Sequence, residues 1–152
     1  MKRRGALFLS FLLVLGIIGC AVQQPEEAAT YQIFVLANQQ SAAGADAIVG
    51  EAVELDIEED APLEEKAVAV VEAILSSGDY LWDGIELRGI TVKGRRAYVD
   101  LNRRYASLTG IQLSLADYCI TLSLTQLEGL SSVTITAEGQ ELAYRPSQVL
   151  ME

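Results

Sequence analysis

The sequence has no histidine at all and only two cysteines among its 152 residues. Without histidine there is no Ser-His or Cys-His catalytic pair, and the usual zinc ligand sets lose their imidazole. Neither a Gly-x-Ser-x-Gly elbow nor a Ser-x-x-Lys motif occurs, so nucleophilic catalysis has no support. Bases are scarce too. Eleven Lys and Arg against 21 Asp and Glu leave a formal charge of −10, which argues against a nucleic-acid partner. Tryptophan occurs once and proline three times. What is plentiful is apolar residues, at 51%, enough to fill one core of ordinary size and too many for a disordered or collagen-like chain.

That apolar content is unevenly spread. Lys2, Arg3 and Arg4 precede a run of 14 almost wholly apolar residues, Gly5 to Ile18, which ends at Gly19-Cys20. A basic patch, an apolar core and small residues at a cut site describe a secretory signal over residues 1–19. A spanning helix needs about 20 apolar residues, so a plain transmembrane anchor fits less well. The Ile17-Ile18-Gly19-Cys20 ending resembles the bacterial lipobox, in which Cys20 becomes the mature N-terminus and carries a diacylglycerol. Two acyl chains on one residue hold a protein stably on a bilayer, because each buried CH₂ contributes about 0.8 kcal/mol. Cleavage before Cys20 removes three bases and no acid, moving the formal charge from −10 to −13. Such a body is repelled by anionic lipid, so the anchor must hold it at the outer face of the cytoplasmic membrane. Cys119 is then the lone remaining thiol, and no intrachain disulfide is available.

Residues 20–30 are polar, carry Pro25 and read as a flexible tether. Tyr31 to Leu36 is rich in strand formers, Asn38 to Asp46 has loop composition, and Val53, Leu55 and Ile57 alternate with acids as a half-buried strand. Asp60 and Pro62 open a helix whose apolar stripe is Leu63, Ala67, Val70, Val71 and Ile74, stopped by Ser76-Ser77-Gly78. Ile85–Val92 and Arg96–Leu101 flank Lys93-Gly94-Arg95 as a hairpin. Ser114 with Asp117 three residues on predicts a capping box for a second helix, apolar on nearly all sides and so buried. A last strand, Ser132–Ala137, leads to a turn at Glu138-Gly139 and a tail over 143–152. The order β-β-α-β-β-α-β predicts an α+β domain over residues 31–142, a small mainly antiparallel sheet with two helices on one face.

Three groups of residues invite a functional reading. Nine carboxylates lie between Asp46 and Glu65, and Asp56, Glu58 and Asp60 have the spacing of a calcium loop. Ala61 and Ala67 stand where such a loop needs glycine and a bidentate glutamate, so a solvated strand face explains the acids better. Six bases and one acid lie between Arg88 and Arg104; Arg95, Arg96, Arg103 and Arg104 are candidates for docking an acidic partner, against the alternative of a solvated hairpin face. Tyr80 and Trp82, in the Asp79–Gly84 loop, are candidates for stacking on a wall sugar or a peptide, against the alternative of a core lid. No catalytic residue, metal site or cofactor is expected.

Gly94 to Asn102, GRRAYVDLN, resembles the G-x-A-x-V-D-L-S/N return strand of the GerMN domain, found in bacterial lipoproteins of sporulation and spore germination. Thr121 to Leu127 is similar to the end of that family's second helix, and Val133 to Gly139 to its last strand. The resemblance implies a fold similar to the ring-building modules of secretion systems. It also implies a non-catalytic assembly role at the membrane of a Gram-positive, spore-forming cell, with a protein of an envelope complex or a second copy of the chain as partner. The sequence carries one such domain where the best-known architecture has two, and Arg103-Arg104 depart from the motif. Asp100 is expected to bond to the turn that follows it.

Overall fold

The computed structural model describes residues 29–37 and 47–142. The expected signal peptide, Cys20, most of the tether, the loop at 38–46 and the tail over 143–152 lie outside the described residues. The elements are β1 (Ala29–Leu36), β2 (Ile48–Leu55), α1 (Leu63–Leu75), β3 (Leu87–Lys93), β4 (Arg96–Leu101), α2 (Gly110–Leu124) and β5 (Ser132–Ala137). Short 3₁₀ turns occupy Tyr80–Trp82 and Tyr105–Ser107. The fold is α+β, and β1 begins at Ala29, two residues earlier than its composition indicated.

The five strands form two sheets where one was expected. β1 and β2 pair antiparallel; β3, β4 and β5 form a second sheet in that order, with β4 antiparallel to β3 and parallel to β5. A parallel pair needs a crossover, and α2 supplies it. The sheets stay separate because side chains cap the free edge of β1. The Phe34 N–H donates to Ser123 Oγ at 2.8 Å and the Leu36 N–H to Asp79 Oδ2 at 3.2 Å. The opposite edge of the second sheet is treated alike, the Val92 N–H donating to Glu64 Oε2 at 2.9 Å. Capped edges of this kind take no further strand.

Period-two patterning puts Ala97, Val99 and Leu101 of β4 fully inside while Arg96 and Tyr98 face solvent. The helices cover that inner face with Ala67, Val70, Val71 and Ile74 from α1 and Ala116, Cys119, Ile120 and Leu124 from α2. Two expectations for α2 are corrected. The helix starts four residues before Ser114, at Gly110, and the Ser114/Asp117 pair caps nothing: Ser114 Oγ donates back to the Gly110 carbonyl, while Asp117 accepts the hydroxyl of the buried Tyr105. The buried Leu113 gives that extra turn its anchor in the core. Nor is α2 buried on all sides, since Ile111 is 75% exposed and Tyr118 40%. Its chain leaves through the Thr125 cap, and Gly129, at φ +102° with Leu63 Cδ2 only 3.1 Å from where a Cβ would sit, turns toward β5.

Ser123 joins the two layers. It is buried, donates to the Cys119 carbonyl at 2.7 Å and accepts from Phe34 of β1. Ser123→Ala leaves a strand N–H without a partner and is expected to lower stability by about 1–3 kcal/mol, read from the midpoint of urea unfolding. An unchanged midpoint would show that β1 is held by packing alone.

Candidate functional site

The basic stretch that reads as one cluster in the sequence is divided in space. Arg95 and Arg96 lie at the hairpin tip and Arg103 and Arg104 beyond the far end of β4, a strand of six residues and so about 17 Å long. The two groups do different things. At the far end, Arg88 pairs with Asp100 at 3.1 Å and sits 3.7 Å from Glu138. The Arg103 N–H donates to Glu138 Oε1 at 3.1 Å. Arg104 is a fastener within the chain: its Nε donates to the Asp83 carbonyl at 3.2 Å and its guanidinium to Ser107 Oγ at 3.1 Å. It ties the 3₁₀ turn carrying Trp82 to the loop after β4.

Asp100 is the centre of this end. One carboxylate oxygen accepts the Thr136 hydroxyl at 2.8 Å and the Gly139 N–H at 2.7 Å, and the other accepts from Arg88. It therefore clamps the turn after β5, its parallel neighbour, and not the turn after its own strand. That turn holds Glu138 at φ +54°, a conformation a non-glycine residue adopts only when its surroundings fix it. The acid of the VDL motif is a structural group.

Tyr80 and Trp82 do not form a shared platform. Tyr80 is 65% exposed, whereas Trp82 is 3% exposed and belongs to the core, so it has no face to offer a sugar. The 3₁₀ turn explains the split, because neighbouring side chains in a turn of three residues point about 120° apart. Trp82 Nε1 is buried and has no hydrogen-bond partner among the described residues. Tyr105, fully buried and bonded to Asp117, was not singled out by sequence; only its place in the loop after the VDL motif hinted at it.

The hairpin tip is different. Lys93, Arg95 and Arg96 are exposed, and Lys93 lies 5.5 Å from the centroid of the exposed Tyr98 ring. Arg96 Nε donates to Ser132 Oγ at 3.1 Å across the parallel pair. Where β1 begins, a groove of about 630 Å³ is lined by Ala29, Tyr31, Glu59, Leu63, Lys66 and Leu127 among others. Among the described residues no group of three or more His, Cys, Asp or Glu is placed to hold a metal ion, and no helix is long and apolar enough to cross a membrane.

Cys119 faces the core with no exposure, and burial, together with the negative charge of Asp79, pushes its thiol up to about 12 from 9.0. A proton held by the folded chain and released by the unfolded one makes folding less favourable as pH rises. Between pH 9 and 12 this thiol is therefore expected to lower stability by up to about 1.4 kcal/mol per unit, a slope that Cys119→Ala removes in unfolding curves taken across that range. At neutral pH the same thiol should resist alkylation until the domain unfolds.

The matching family gives the class of protein, one described by sporulation and spore germination. The Germane family, described as sporulation and spore germination, matches residues 32–143, and the chain belongs to it. Among solved structures, the first GerMN domain of the sporulation protein GerM from Bacillus subtilis superposes with a TM-score of 0.58 at 14% identity, covering 78% of this chain and 90% of that one. The tandem GerMN domains of the same protein give 0.52 at 16% identity, with 80% of this chain covering 43% of that one. The likeness is one of fold. None of the curated proteins compared with the chain matches it.

Proposed function

We propose that the chain is a non-catalytic assembly module of sporulation or spore germination, held by a lipid on Cys20 at the outer face of the cytoplasmic membrane. The observation that carries this reading is the placement of Cys20. It follows a basic patch and a 14-residue apolar run, and stands nine residues before β1, at the head of a domain whose family is described by sporulation. The polar groups described above support a structural rather than a chemical role. Asp100, Ser123, Asp79 and Glu64 are all spent on strand edges and turns, and the thiol of Cys119 is sealed in the core. Its charge also fits: a strongly acidic body has no affinity of its own for an anionic bilayer and depends on the anchor. The partner is a protein of an envelope complex. Isolation of the full chain from sporulating cells in mild detergent should bring an envelope protein with it; recovery of the chain alone overturns the reading.

A further inference from the structure

The edge of β5 away from β4 is the open side of the second sheet. Among the described residues β5 pairs with β4 alone, while the β3 edge opposite carries the Glu64 cap. Alternation decides which backbone groups face the open side. The Glu138 N–H donates to the Leu101 carbonyl on the β4 side, and the Ala137 N–H donates the other way, to the Gln140 carbonyl at 2.9 Å. Ile135 and Val133, two and four residues back along the strand, therefore turn their N–H and C=O groups outward as well. The chain itself turns toward this edge. The Gln140 N–H donates back to the Ala137 carbonyl at 3.0 Å, so the two residues exchange both backbone bonds. Between them Glu138 at φ +54° and Gly139 at φ +75° are both left-handed, the pattern of a two-residue type I′ hairpin turn.

We propose that the occupant of this edge is the chain's own segment 141–145, docked on β5 as an antiparallel strand that completes the hairpin Glu138 and Gly139 begin. Such a turn sends the chain back along the strand it leaves and fixes the register. With Gln140 opposite Ala137, Leu142 falls opposite Ile135, Ala143 opposite Thr134 and Tyr144 opposite Val133. Partners directly opposite share a face, so the apolar Leu142 and Tyr144 match the two core-side residues, and Glu141 and Arg145 match Thr136 and Ser132 on the outer face. Leu142 already fits: it is half-buried and packs against the core that holds Ile135. Pro146, which has no N–H to give, stands where the run along β5 ends. The proposal does not depend on the assembly reading, but it narrows how a partner can bind. With Glu64 on one edge of the sheet and this strand on the other, a partner meets side chains and cannot add a strand of its own.

Thr134 and Ala143 form a non-hydrogen-bonded pair in this register, with Cα atoms about 4.5 Å apart, within the span of a disulfide. Full-length chain carrying Thr134→Cys with Ala143→Cys, mildly oxidised, should therefore close a disulfide within one chain, located by peptide mass. Thr134→Cys with Tyr144→Cys puts the two thiols on opposite faces and should give about tenfold less. Mixing isotopically light and heavy chains before oxidation separates links within a chain from links between chains. Hydrogen exchange on the unsubstituted chain gives a second readout that needs no variant to fold. The Val133 N–H, bonded to the Tyr144 carbonyl in this register, should exchange at least about 100-fold more slowly than a free amide. Tyr144→Pro, which removes a donor to β5, should speed that exchange about tenfold, whereas Ala143→Pro, at a position whose N–H points away from β5, should leave it unchanged. Equal disulfide yields from the two cysteine pairs, or exchange of Val133 at the free-amide rate, overturns the proposal. A disulfide found only between light and heavy chains overturns it as well, since a second copy then occupies the edge.

Discussion

Asp100→Ala is expected to destabilise the domain by about 2–4 kcal/mol, the largest effect of any single polar substitution here. The carboxylate accepts from the Thr136 hydroxyl, the Gly139 N–H and Arg88, and together with the Glu138 N–H bond to the Leu101 carbonyl it joins the end of β4 to the turn after β5. Its side chain is 29% exposed, so solvent weakens the Arg88 pair more than the two bonds to β5 and its turn. The cost therefore comes mainly from the turn, where Glu138 is held in a left-handed conformation that relaxes once the clamp is gone. Asp100→Asn keeps an acceptor for Gly139 and should cost about half as much, and Arg88→Ala under about 1 kcal/mol. Urea unfolding midpoints of the three variants provide the comparison. If Asp100→Ala were as mild as Arg88→Ala, the motif acid would not be a clamp, and a role on the surface would have to be found for it.

Cys20→Ala is expected to change the location of the whole protein. In the unsubstituted chain the mature N-terminal peptide should begin at residue 20 and carry two or more acyl chains, visible by intact mass. With alanine there, incorporation of labelled fatty acid should fall to background, and the chain should either keep residues 1–19 or be released. A released body has lost the bases Lys2, Arg3 and Arg4 and carries a formal charge near −13, so nothing in its electrostatics returns it to an anionic membrane. A mature chain that stays membrane-bound without fatty acid would point to attachment through another protein. An unmodified Cys20 in the unsubstituted chain would remove the anchor from the account.

What the sequence disclosed was local. The apolar stripe of α1, the Gly-centred β3–β4 hairpin and the alternation in β5 are carried by residues a few positions apart, and each lies within a residue or two of where its pattern placed it. The division into two sheets was not legible, because it depends on Ser123 and Asp79 reaching β1 from 89 and 43 residues away. A similar long reach hid the role of Asp100, whose partners on and beyond β5 lie 36 and 39 residues along the chain. The capping pattern at Ser114 misled because Asp117 is engaged by Tyr105 and Leu113 holds an earlier turn in the core. For the candidate site, sequence proximity joined Arg95 and Arg96 to Arg103 and Arg104, yet an intervening strand carries them to opposite ends. The family resemblance was readable because its three stretches, the VDL hairpin, the end of α2 and β5 with its turn, are each short and continuous in the chain.

We propose that this chain works as a membrane-held part of an assembly. The most direct test is native gel sizing of the detergent-solubilised full chain from sporulating cells, run beside the Cys20→Ala variant. A discrete species well above the monomer in the unsubstituted chain, lost when Cys20 is replaced, is the predicted result. A monomer in both samples, with sporulation proceeding equally in both strains, would contradict it.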